Sequence, residues 1–278
     1  METLHVVYPE TEQAFIESLE ERSAILNGGT DIHVKIRAGK WPYTRLVSLE
    51  RVETLKGISQ EGKYIRIRCR TTFSDLLANP LIAQHFPLLY QAAYEVGSNQ
   101  IRNRGTLVGN IVNASPAGDG ILALSVYDAW LEIWSRKGQK RLAQIHEFIL
   151  SPGKTVLKAD EFVHSVILQK PTKPLRALFY KVGQRKAMAI AIASMGVLLE
   201  TKHDRIKEIR IAFGSVAPTV VRIPEIEERA FDQTLNEATV ESWMPFLEKH
   251  VVPIDDIRST AKYRKEVCQR LLYKILDL

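Results

Sequence analysis

The stretch from Gly105 to Asp119, reading GTLVGNIVNASPAGD, brings together residues that could hold a ligand rich in oxygen atoms. Its glycines Gly105 and Gly109 allow backbone geometry closed to other residues and let a bulky ligand approach the main chain. Apolar, polar and glycine residues alternate quickly here, so the pattern predicts a loop and neither a helix nor a strand. Such a loop suits an anion or a nucleotide. Its short polar side chains are Thr106, Asn110, Asn113 and Ser115.

An earlier segment, Asn27 to Asp31 (NGGTD), has the same chemistry. It follows an apolar run, Ala24 to Leu26, that predicts a buried strand. The apolar residues between positions 32 and 36 fit either strand alternation or one short helix, and the helix is favoured because Thr30 and Asp31 are good N-cap residues. A glycine turn between a strand and a helix start directs free N–H groups at a phosphate. We therefore expect both loops to hold one ligand.

Composition excludes several classes of protein. The chain has 278 residues and a net charge of +6, and its charges are spread out with no basic block among aromatic residues, so nucleic acid is not expected as a partner. Two cysteines, Cys69 and Cys268, are too few for a cysteine-ligated iron–sulfur cluster or a C-x-x-C zinc site. The seven histidines show no i, i+4 pair, so no metal is expected. The absence of a membrane-spanning apolar run and of an export signal predicts a cytoplasmic protein.

The hydrophobic patterns predict a mixture of helices and strands up to about residue 170. A capping box, Thr72-x-x-Asp75, opens a helical region that is broken near its prolines and runs to Glu95. The segment from Gly97 to Arg104 is polar and leads into the glycine-bearing stretch. The predicted strands are 5–9, 24–26, 45–49, 64–69, 130–135, 140–144 and 162–168, and a further helix is predicted over 11–22.

A boundary is expected at Lys170 to Leu175 (KPTKPL), which has two prolines and no apolar periodicity. Beyond it, strands are predicted over 179–182, 189–200 and 206–213, with a turn at His203-Asp204. Helices are predicted over 224–230, 238–250 and 257–276. The second part of the chain is therefore expected to be α+β, with helices on one face of an antiparallel sheet.

Three segments in order resemble the FAD-binding medium subunit of the molybdenum hydroxylases, the group that contains xanthine dehydrogenase and aerobic carbon monoxide dehydrogenase. They are ILNGGTDIHVKIR (Ile25 to Arg37), QIRNRGTLVGNIVNASPAGD (Gln100 to Asp119) and FYKVGQRKAMAIAI (Phe179 to Ile192). The C-terminal segment from Tyr263 to Ile275 also looks like the closing helix of the family. The resemblance spans nearly the whole chain.

The resemblance implies an α+β fold with two domains. Residues 1–172 would form a vanillyl-alcohol-oxidase-type (PCMH-type) FAD-binding domain with two lobes, about 1–55 and 56–172. Residues 173–278 would form a small α+β domain with an antiparallel sheet and helices. FAD would lie between the lobes.

The same resemblance assigns roles to individual residues. The backbone from Leu26 to Ile32 would wrap the pyrophosphate of FAD, together with residues of the second loop. Asp119 would lie near the ribityl chain, and Val163 would be an apolar contact. Lys181 matches a basic position, and Arg185 a cation that tunes the flavin or attracts a nicotinamide. The full set of expected FAD-binding residues is Ile25, Leu26, Asn27, Gly28, Gly29, Thr30, Asp31, Ile32, Val96, Gly97, Thr106, Gly109, Asn110, Ser115, Asp119, Val163, Lys181 and Arg185.

One position departs from the family pattern Thr-Ile-Gly-Gly-Asn, because Val108 stands where the first of its glycines would be. A β-branched residue does not readily adopt a positive φ. Val108 is therefore expected where the conformational freedom of glycine is unnecessary.

The resemblance also implies partners. An iron–sulfur subunit with two [2Fe–2S] clusters and a molybdopterin-binding subunit would complete the complex, and NAD+ or another acceptor would take electrons from FAD. No catalytic acid, base or nucleophile is expected in this chain. The motif wording favours a purine-oxidising, xanthine dehydrogenase-like complex. The alternatives are a carbon monoxide or N-heterocycle dehydrogenase, and a structural or binding subunit that has lost its flavin.

Overall fold

The structure, a computed structural model, describes residues 4–20, 23–39 and 41–278, and no helix in these ranges is long and apolar enough to cross a membrane. The strands are β1 (His5–Val7), β2 (Ser23–Leu26), β3 (Arg45–Ser48), β4 (Ile58–Glu61), β5 (Tyr64–Arg68), β6 (Trp130–Ser135), β7 (Lys140–Gln144), β8 (Ile149–Ser151), β9 (Lys154–Thr155), β10 (Glu161–Gln169), β11 (Arg176–Val182), β12 (Ala193–Lys202), β13 (Arg205–Gly214) and β14 (Val221–Arg222). The helices are α1 (Glu12–Ser18), α2 (Ile32–Arg37), α3 (Phe73–Ala78), α4 (Pro80–His85), α5 (Pro87–Tyr94), α6 (Asn99–Arg104), α7 (Leu107–Asn113), α8 (Asp119–Val126), α9 (Ile145–Phe148), α10 (Pro224–Arg229), α11 (Glu237–Ser242), α12 (Met244–His250) and α13 (Ala261–Tyr273). Short 3₁₀ helices occur at Glu53–Leu55 and Lys274–Asp277.

The chain begins with a small parallel sheet in the order β1-β3-β2. Parallel strands place their carboxyl ends at one edge of a sheet, and the connections after them gather there. Helix α1 covers this sheet and buries Phe15, whose ring meets Phe162 of β10 edge to face at 5.1 Å. That contact joins the parallel sheet to the second layer of the structure.

The second layer is a five-stranded antiparallel sheet in the order β4-β5-β10-β6-β7. Helices α3, α5, α7 and α8 pack with it around one large apolar core. Every residue of α8 is buried, because this helix also lies against β12 and β13 of the C-terminal part. The approach is close enough that a Cβ on Gly196 would lie 2.4 Å from Leu122 Cδ2, so any larger residue on β12 there would displace the Leu122 side chain.

The C-terminal part contains a four-stranded antiparallel sheet in the order β11-β12-β13-β14. Helices α10 to α13 bury a separate core against it, centred on Trp243 and including Cys268. A pair of positive-φ residues, His203 and Asp204, makes the tight turn between β12 and β13. This is the arrangement that the sequence predicts for this part of the chain.

Two side chains, one from each part, form hydrogen bonds between the N-terminal and C-terminal parts. The Gln91 amide donates to Ala177 O (3.2 Å), and its oxygen accepts from Phe179 N–H (2.8 Å), so it pairs with the free edge of β11. Arg222 on β14 donates to Ser125 O (2.6 Å) and to the carboxylates of Asp128 (2.9 Å) and Glu227 (2.6 Å). Hydrogen bonds between side chains and backbone thus fix the two parts together.

Several sequence predictions need correction. The stretch from Gly105 to Asp119 is no loop throughout: it contains α7, which forms because Thr106 Oγ1 accepts from Gly109 N–H and because Leu107 and Ile111 enter the core. The polar segment Gly97 to Arg104 contains α6, which Ser98 caps.

The predicted strand over 189–200 starts only at Ala193, because residues 183–192 form a connection between β11 and β12. The helix predicted over 238–250 is two helices, α11 and α12, which meet at Trp243. The helix predicted over 257–276 starts at Ala261, where Thr260 caps it. Arg22, the last residue of the helix predicted over 11–22, lies outside the described residues, and α1 itself ends at Ser18.

The pairing of Gln91 with β11 gives a test of how firmly the two parts are joined. Replacing Gln91 by leucine leaves the Phe179 N–H and the Ala177 carbonyl without partners, and we expect the free energy of unfolding to fall by about 1–3 kcal/mol. Urea denaturation would measure it. The control is Gln13→Leu on α1, where the amide bonds only the exposed Glu17 carboxylate, and the expected change is within about 0.5 kcal/mol. Equal decreases in the free energy of unfolding in both variants would contradict the conclusion that Gln91 joins the two parts.

Candidate functional site

A cleft of about 510 Å³ lies where the parallel sheet, α7 and β10 meet. Its size is within the range of small-molecule and cofactor sites. One wall is the Asn27–Asp31 loop that follows β2, and the facing wall is the first turn of α7 with Gly105 before it. Phe162 and Val163 of β10 close the base. The two polar loops that the sequence singles out therefore border one cavity.

The two loops meet backbone to backbone. A Cβ on Gly28 would lie 2.0 Å from Arg104 O and 3.0 Å from Gly105 Cα, so only glycine fits between them. The Asn27 side chain fixes the same loop to the second layer, because its Nδ2 donates to Cys69 O at 2.8 Å. The close approach of the two backbones is therefore part of the fold and does not require a bound ligand.

Polar groups without partners point to what the cleft can bind. In the described part of the chain, no acceptor contacts the amide nitrogens of Gly28, Gly29 and Thr30. Asn110 Oδ1 is buried in the opposite wall, also without a partner among these residues. Unpaired N–H groups in a glycine turn are a suitable site for phosphate oxygens. The donor set fits the pyrophosphate of FAD, and the buried amide of Asn110 provides a further polar contact.

A polar bridge that the sequence reasoning missed holds the mouth of the cleft. Asn113 Nδ2 at the end of α7 donates to Asp31 Oδ1 (3.0 Å), and Lys35 Nζ on α2 donates to Asn113 Oδ1 (3.0 Å). Lys35 and Asn113 both line the cavity. The sequence signal for them was the presence of both residues inside the two glycine-bearing motifs.

Val108 lies in the first turn of α7 and is buried beside the cleft. It is not among the residues with positive φ. The valine is accommodated because helical backbone suits any residue, and the substitution leaves the wall of the cleft in place.

Twelve of the residues that the sequence predicts line this cavity: Ile25, Asn27, Gly28, Gly29, Thr30, Asp31, Ile32, Val96, Thr106, Gly109, Asn110 and Val163. Leu26 lies in β2 and turns towards Gly29. Gly97 has a φ of 48° and accepts from Arg102 (3.2 Å), and the Ser115 hydroxyl accepts from Ala117 N–H (3.3 Å). These three residues support the walls and do not line the cavity.

Asp119 and Lys181 form a buried ion pair between the N-terminal and C-terminal parts. Lys181 Nζ lies 2.7 Å from Asp119 Oδ2 and also donates to Glu95 O (2.7 Å), next to Val96 at the edge of the cleft. Asp119 Oδ1 is buried without a partner in the described chain. Each side chain is less than a tenth exposed. The structure thus brings these two predicted residues together outside the cavity itself.

Arg185 is separate from this pair. It lies in the connection between β11 and β12, is exposed, and donates to Met188 O at 2.8 Å. Of the four predicted cofactor-binding residues after residue 115, which are Asp119, Val163, Lys181 and Arg185, only Val163 lines the cavity.

The titratable groups near the cleft do not form a catalytic set. Burial raises the pKa of the Cys69 thiol to about 12, so that it stays protonated. Burial raises the pKa of the Asp119 carboxyl to about 6, although the neighbouring Lys181 acts in the opposite direction. Among the described residues, no group of three or more His, Cys, Asp or Glu side chains could hold a metal ion. The arrangement can bind and orient a cofactor.

The buried pair predicts a pH dependence. Because the pKa of Asp119 is higher in the folded chain (about 6) than its ordinary 3.8, the folded state gains a proton first as the pH falls. As the pH falls from about 6 to about 4, the contribution of Asp119 to the free energy of unfolding therefore increases. This contribution is lost again as the pH rises through 6. We expect this part of the stability profile to change by on the order of 3 kcal/mol and to vanish in Asp119→Asn. Urea denaturation from pH 4.5 to 7.5 measures it, and parallel profiles for the two proteins would contradict it.

Comparison with known proteins agrees with this architecture. Residues 2–171 match the family model of the FAD binding domain in molybdopterin dehydrogenase, and residues 178–277 match the CO dehydrogenase flavoprotein C-terminal domain. The carbon monoxide dehydrogenase structure from Hydrogenophaga pseudoflava contains a chain of the same fold, with a TM-score of 0.92 and 23% identity over 99% of this chain and 96% of that one.

Two curated relatives are closer in sequence. The xanthine dehydrogenase FAD-binding subunit of Escherichia coli O157:H7 is 30% identical over 260 residues, covering 92% of this chain and 88% of the relative. The nicotinate dehydrogenase FAD-subunit of Eubacterium barkeri is 30% identical over 263 residues, covering 91% and 88%. By its two matched domains and these relatives, the chain belongs to the family of FAD-binding medium subunits of the molybdenum hydroxylases.

Proposed function

We propose that this chain is the electron-transferring FAD subunit of a xanthine dehydrogenase-like molybdenum hydroxylase. It would receive electrons from the [2Fe–2S] clusters of an iron–sulfur subunit and pass them to NAD+ or another acceptor. A molybdopterin-binding subunit would oxidise the substrate. The observation that carries the proposal is the pair of loops that meet at Gly28 and present unpaired amides to one cleft.

Each wall of the cleft has a role in holding FAD. The amides of the Asn27–Asp31 loop would bind the pyrophosphate, with Thr106, Gly109 and Asn110 on the opposite side. Ile25, Ile32, Val96 and Val163 give apolar contacts that exclude water. When bound, FAD accepts electrons singly and delivers them as a pair, which is the chemistry that the protein itself lacks. The residues of this chain bind, orient and shield it.

The Asp119–Lys181 pair would fix the flavin end of the cofactor. Lys181 brings a cation from β11 to the edge of the cleft beside Val96, and Asp119 holds it there. Gly97 supports this region through its backbone carbonyl and Ser115 through its hydroxyl, and Arg185 places a second, exposed cation on the adjoining connection. Because Asp119 balances the charge of Lys181, the net positive charge that would favour reduction of the flavin and attract an anionic acceptor such as NAD+ comes from Arg185.

The substrate is chosen by the molybdenum subunit, so this chain bears on it only through its relatives. Their names include xanthine, nicotinate and carbon monoxide dehydrogenases. We favour purine oxidation because the glycine-loop and Phe179–Ile192 motifs resemble those of purine-oxidising members of the family more than those of carbon monoxide dehydrogenase. The alternatives are the same subunit in a carbon monoxide or N-heterocycle dehydrogenase.

The division of the chain and its location belong to the same proposal. Residues 1–172 would bind FAD, as two lobes of about 1–55 and 56–172, and residues 173–278 would complete the flavin end. We expect the complex in the cytoplasm, where NAD+ is available. A flavin-free structural subunit is not favoured, because Val108, its main support in the sequence, has ordinary helical backbone.

The direct test of the proposal is the absorbance spectrum of the purified chain before and after heat release, with mass spectrometry of the released compound. We expect flavin bands and the mass of FAD. A colourless chain that also fails to take up added FAD would overturn the electron-transfer proposal and favour a structural subunit. With FAD bound, reduction of the flavin by a reduced iron–sulfur donor would test the donor, and reoxidation of the reduced flavin by added NAD+ would test the acceptor.

The contact at Gly28 predicts a loss of cofactor. In Gly28→Ala the new Cβ overlaps Arg104 O, so the two loops must separate. We expect the dissociation constant for FAD to rise by at least about tenfold, measured by the quenching of flavin fluorescence.

The matched control is Gly138→Ala in the β6–β7 turn. Gly138 has a positive φ, 76°, which Gly28 does not, and nothing lies within 4 Å of the position of its Cβ. Strain at this φ should lower the free energy of unfolding by roughly 1 kcal/mol and leave FAD affinity unchanged. Equal affinity in wild type and Gly28→Ala would show that FAD is not held by this loop.

A further inference from the structure

Arg264, on helix α13, is a buried arginine, 3% exposed, whose guanidinium contacts three separate segments. Its Nη1 donates to Ile192 O (2.6 Å) and to Ser215 O (2.8 Å), and its Nη2 donates to Asp256 Oδ1 (2.7 Å). Burying a charge is costly unless it is paired and hydrogen-bonded. Here Asp256 pairs the charge and both Nη atoms are hydrogen-bonded, whereas Nε has no partner among the described residues. One side chain thus ties together three connections that are distant in sequence.

The first of these connections is the Gly183–Ala191 loop, which joins β11 to β12. Its two ends are closed by Ile192 N–H donating to Val182 O (2.7 Å), and Arg264 holds the next carbonyl, Ile192 O. The middle of the loop is exposed, with Met188 and Ile190 more than half exposed, whereas Ala191 is buried. It starts two residues after Lys181, the cation at the edge of the FAD cleft. The position of this loop is therefore set mainly where it returns to Ile192.

The second connection reaches the same loop from its other side. Asp256 accepts from Arg264 and also holds Arg258 through its other oxygen, Oδ2, which accepts from Arg258 Nε at 3.0 Å. Arg258 O in turn accepts from Gln184 Nε2 at 3.1 Å. Hydrogen bonds and nearby cations hold the pKa of Asp256 low, at about 2, so this carboxylate stays charged. The chain Arg264–Asp256–Arg258–Gln184 thus fixes the first residues of the loop.

The third connection leads to the N-terminal part. Ser215 has a φ of 65° and its N–H donates to Pro116 O (2.8 Å), three residues before Asp119. Arg264 holds the carbonyl of the same Ser215. The guanidinium is therefore linked to both members of the Asp119–Lys181 pair: to Lys181 through the β11–β12 loop, and to Asp119 through Pro116.

We propose that Arg264 is a positioning residue that fixes the Gly183–Ala191 loop beside the flavin end of the cleft and so sets the access of the electron acceptor to the flavin. This inference rests on the proposed function, in which the loop borders that end. Arginine suits the role because its planar fork directs several donors at once, whereas lysine offers a compact charge on a flexible stem. In Arg264→Lys the charge remains, but Ile192, Ser215 and Asp256 are not all held together.

The rate of trypsin cleavage can measure how often this loop opens, because Arg185 and Lys186 are adjacent trypsin sites in an exposed segment. We expect Arg264→Lys to speed native-state cleavage at these two bonds by about tenfold, because proteolysis follows the population of the opened loop. Gln184→Ala removes only the link to Arg258 O, so it should speed cleavage by about threefold without affecting folding. Mass spectrometry of the fragments identifies the cleaved bonds.

The matched control is Arg222→Lys. Arg222 is also a largely buried arginine that joins two segments, but it contacts Ser125, Asp128 and Glu227, away from the loop. The Arg222→Lys variant should have a lower melting temperature without a selective rise in cleavage at positions 185 and 186.

A second readout is the reoxidation of dithionite-reduced, FAD-loaded protein by NAD+ and by ferricyanide. Arg264→Lys should change the apparent KM for NAD+ more than the rate with ferricyanide, because in this proposal the larger acceptor passes the loop on its way to the flavin.

Equal cleavage in Arg264→Lys and Arg222→Lys, or unchanged cleavage in Gln184→Ala, would overturn the positioning role. If Arg264→Lys does not fold, Gln184→Ala against wild type decides the question alone. The FAD content of the wild-type protein is measured first. A wild type without FAD would refute the proposed function, whereas normal FAD content with unselective cleavage would refute only the role of Arg264.

Discussion

The site depends on the close approach of two backbone segments at Gly28. The Arg104 carbonyl oxygen lies where a side chain at Gly28 would begin. One of the two segments comes from the carboxyl edge of the parallel sheet, and the other connects α6 to α7. Because they touch without side chains between them, the amides of the first loop and the polar turn of α7 face one narrow cleft. The Asn27 side chain, bonded to Cys69 O, keeps this arrangement rigid.

Much of the fold could be predicted from the sequence, because local signals were consistent. The strand, glycine loop and helix around Asn27–Asp31 are confirmed, as are the Thr72–Asp75 capping box and the antiparallel sheet of the C-terminal part. The resemblance to the medium subunits of molybdenum hydroxylases is confirmed by both matched domains. The prediction of a loop over Gly105–Asp119 was wrong, because Thr106 caps a helix whose apolar face is completed only by the core of the second layer.

The parts of the site that were missed depend on contacts between distant residues. Lys35 and Asn113 are 78 residues apart, and no local pattern reports that α2 and the end of α7 meet. The same is true of Arg264, whose partners lie 72 and 49 residues away along the chain. In the sequence it is one of many cations on an amphipathic helix. Its burial is decided by the packing of α13 on the sheet, which is a property of the whole C-terminal part.

The ion pair between Asp119 and Lys181 has a consequence for how the subunit is made. Asp119 belongs to the part of the chain that is synthesised first, and its partner arrives only with β11, after the inter-domain connection has left the ribosome. Domains generally fold in order during synthesis, the N-terminal one first. The two loops around the cleft are therefore complete before the residue that pairs with Asp119 has been synthesised. The contact between Asp119 and Lys181 can form only after the N-terminal part has had the opportunity to fold, so it is a late step in the assembly of the chain.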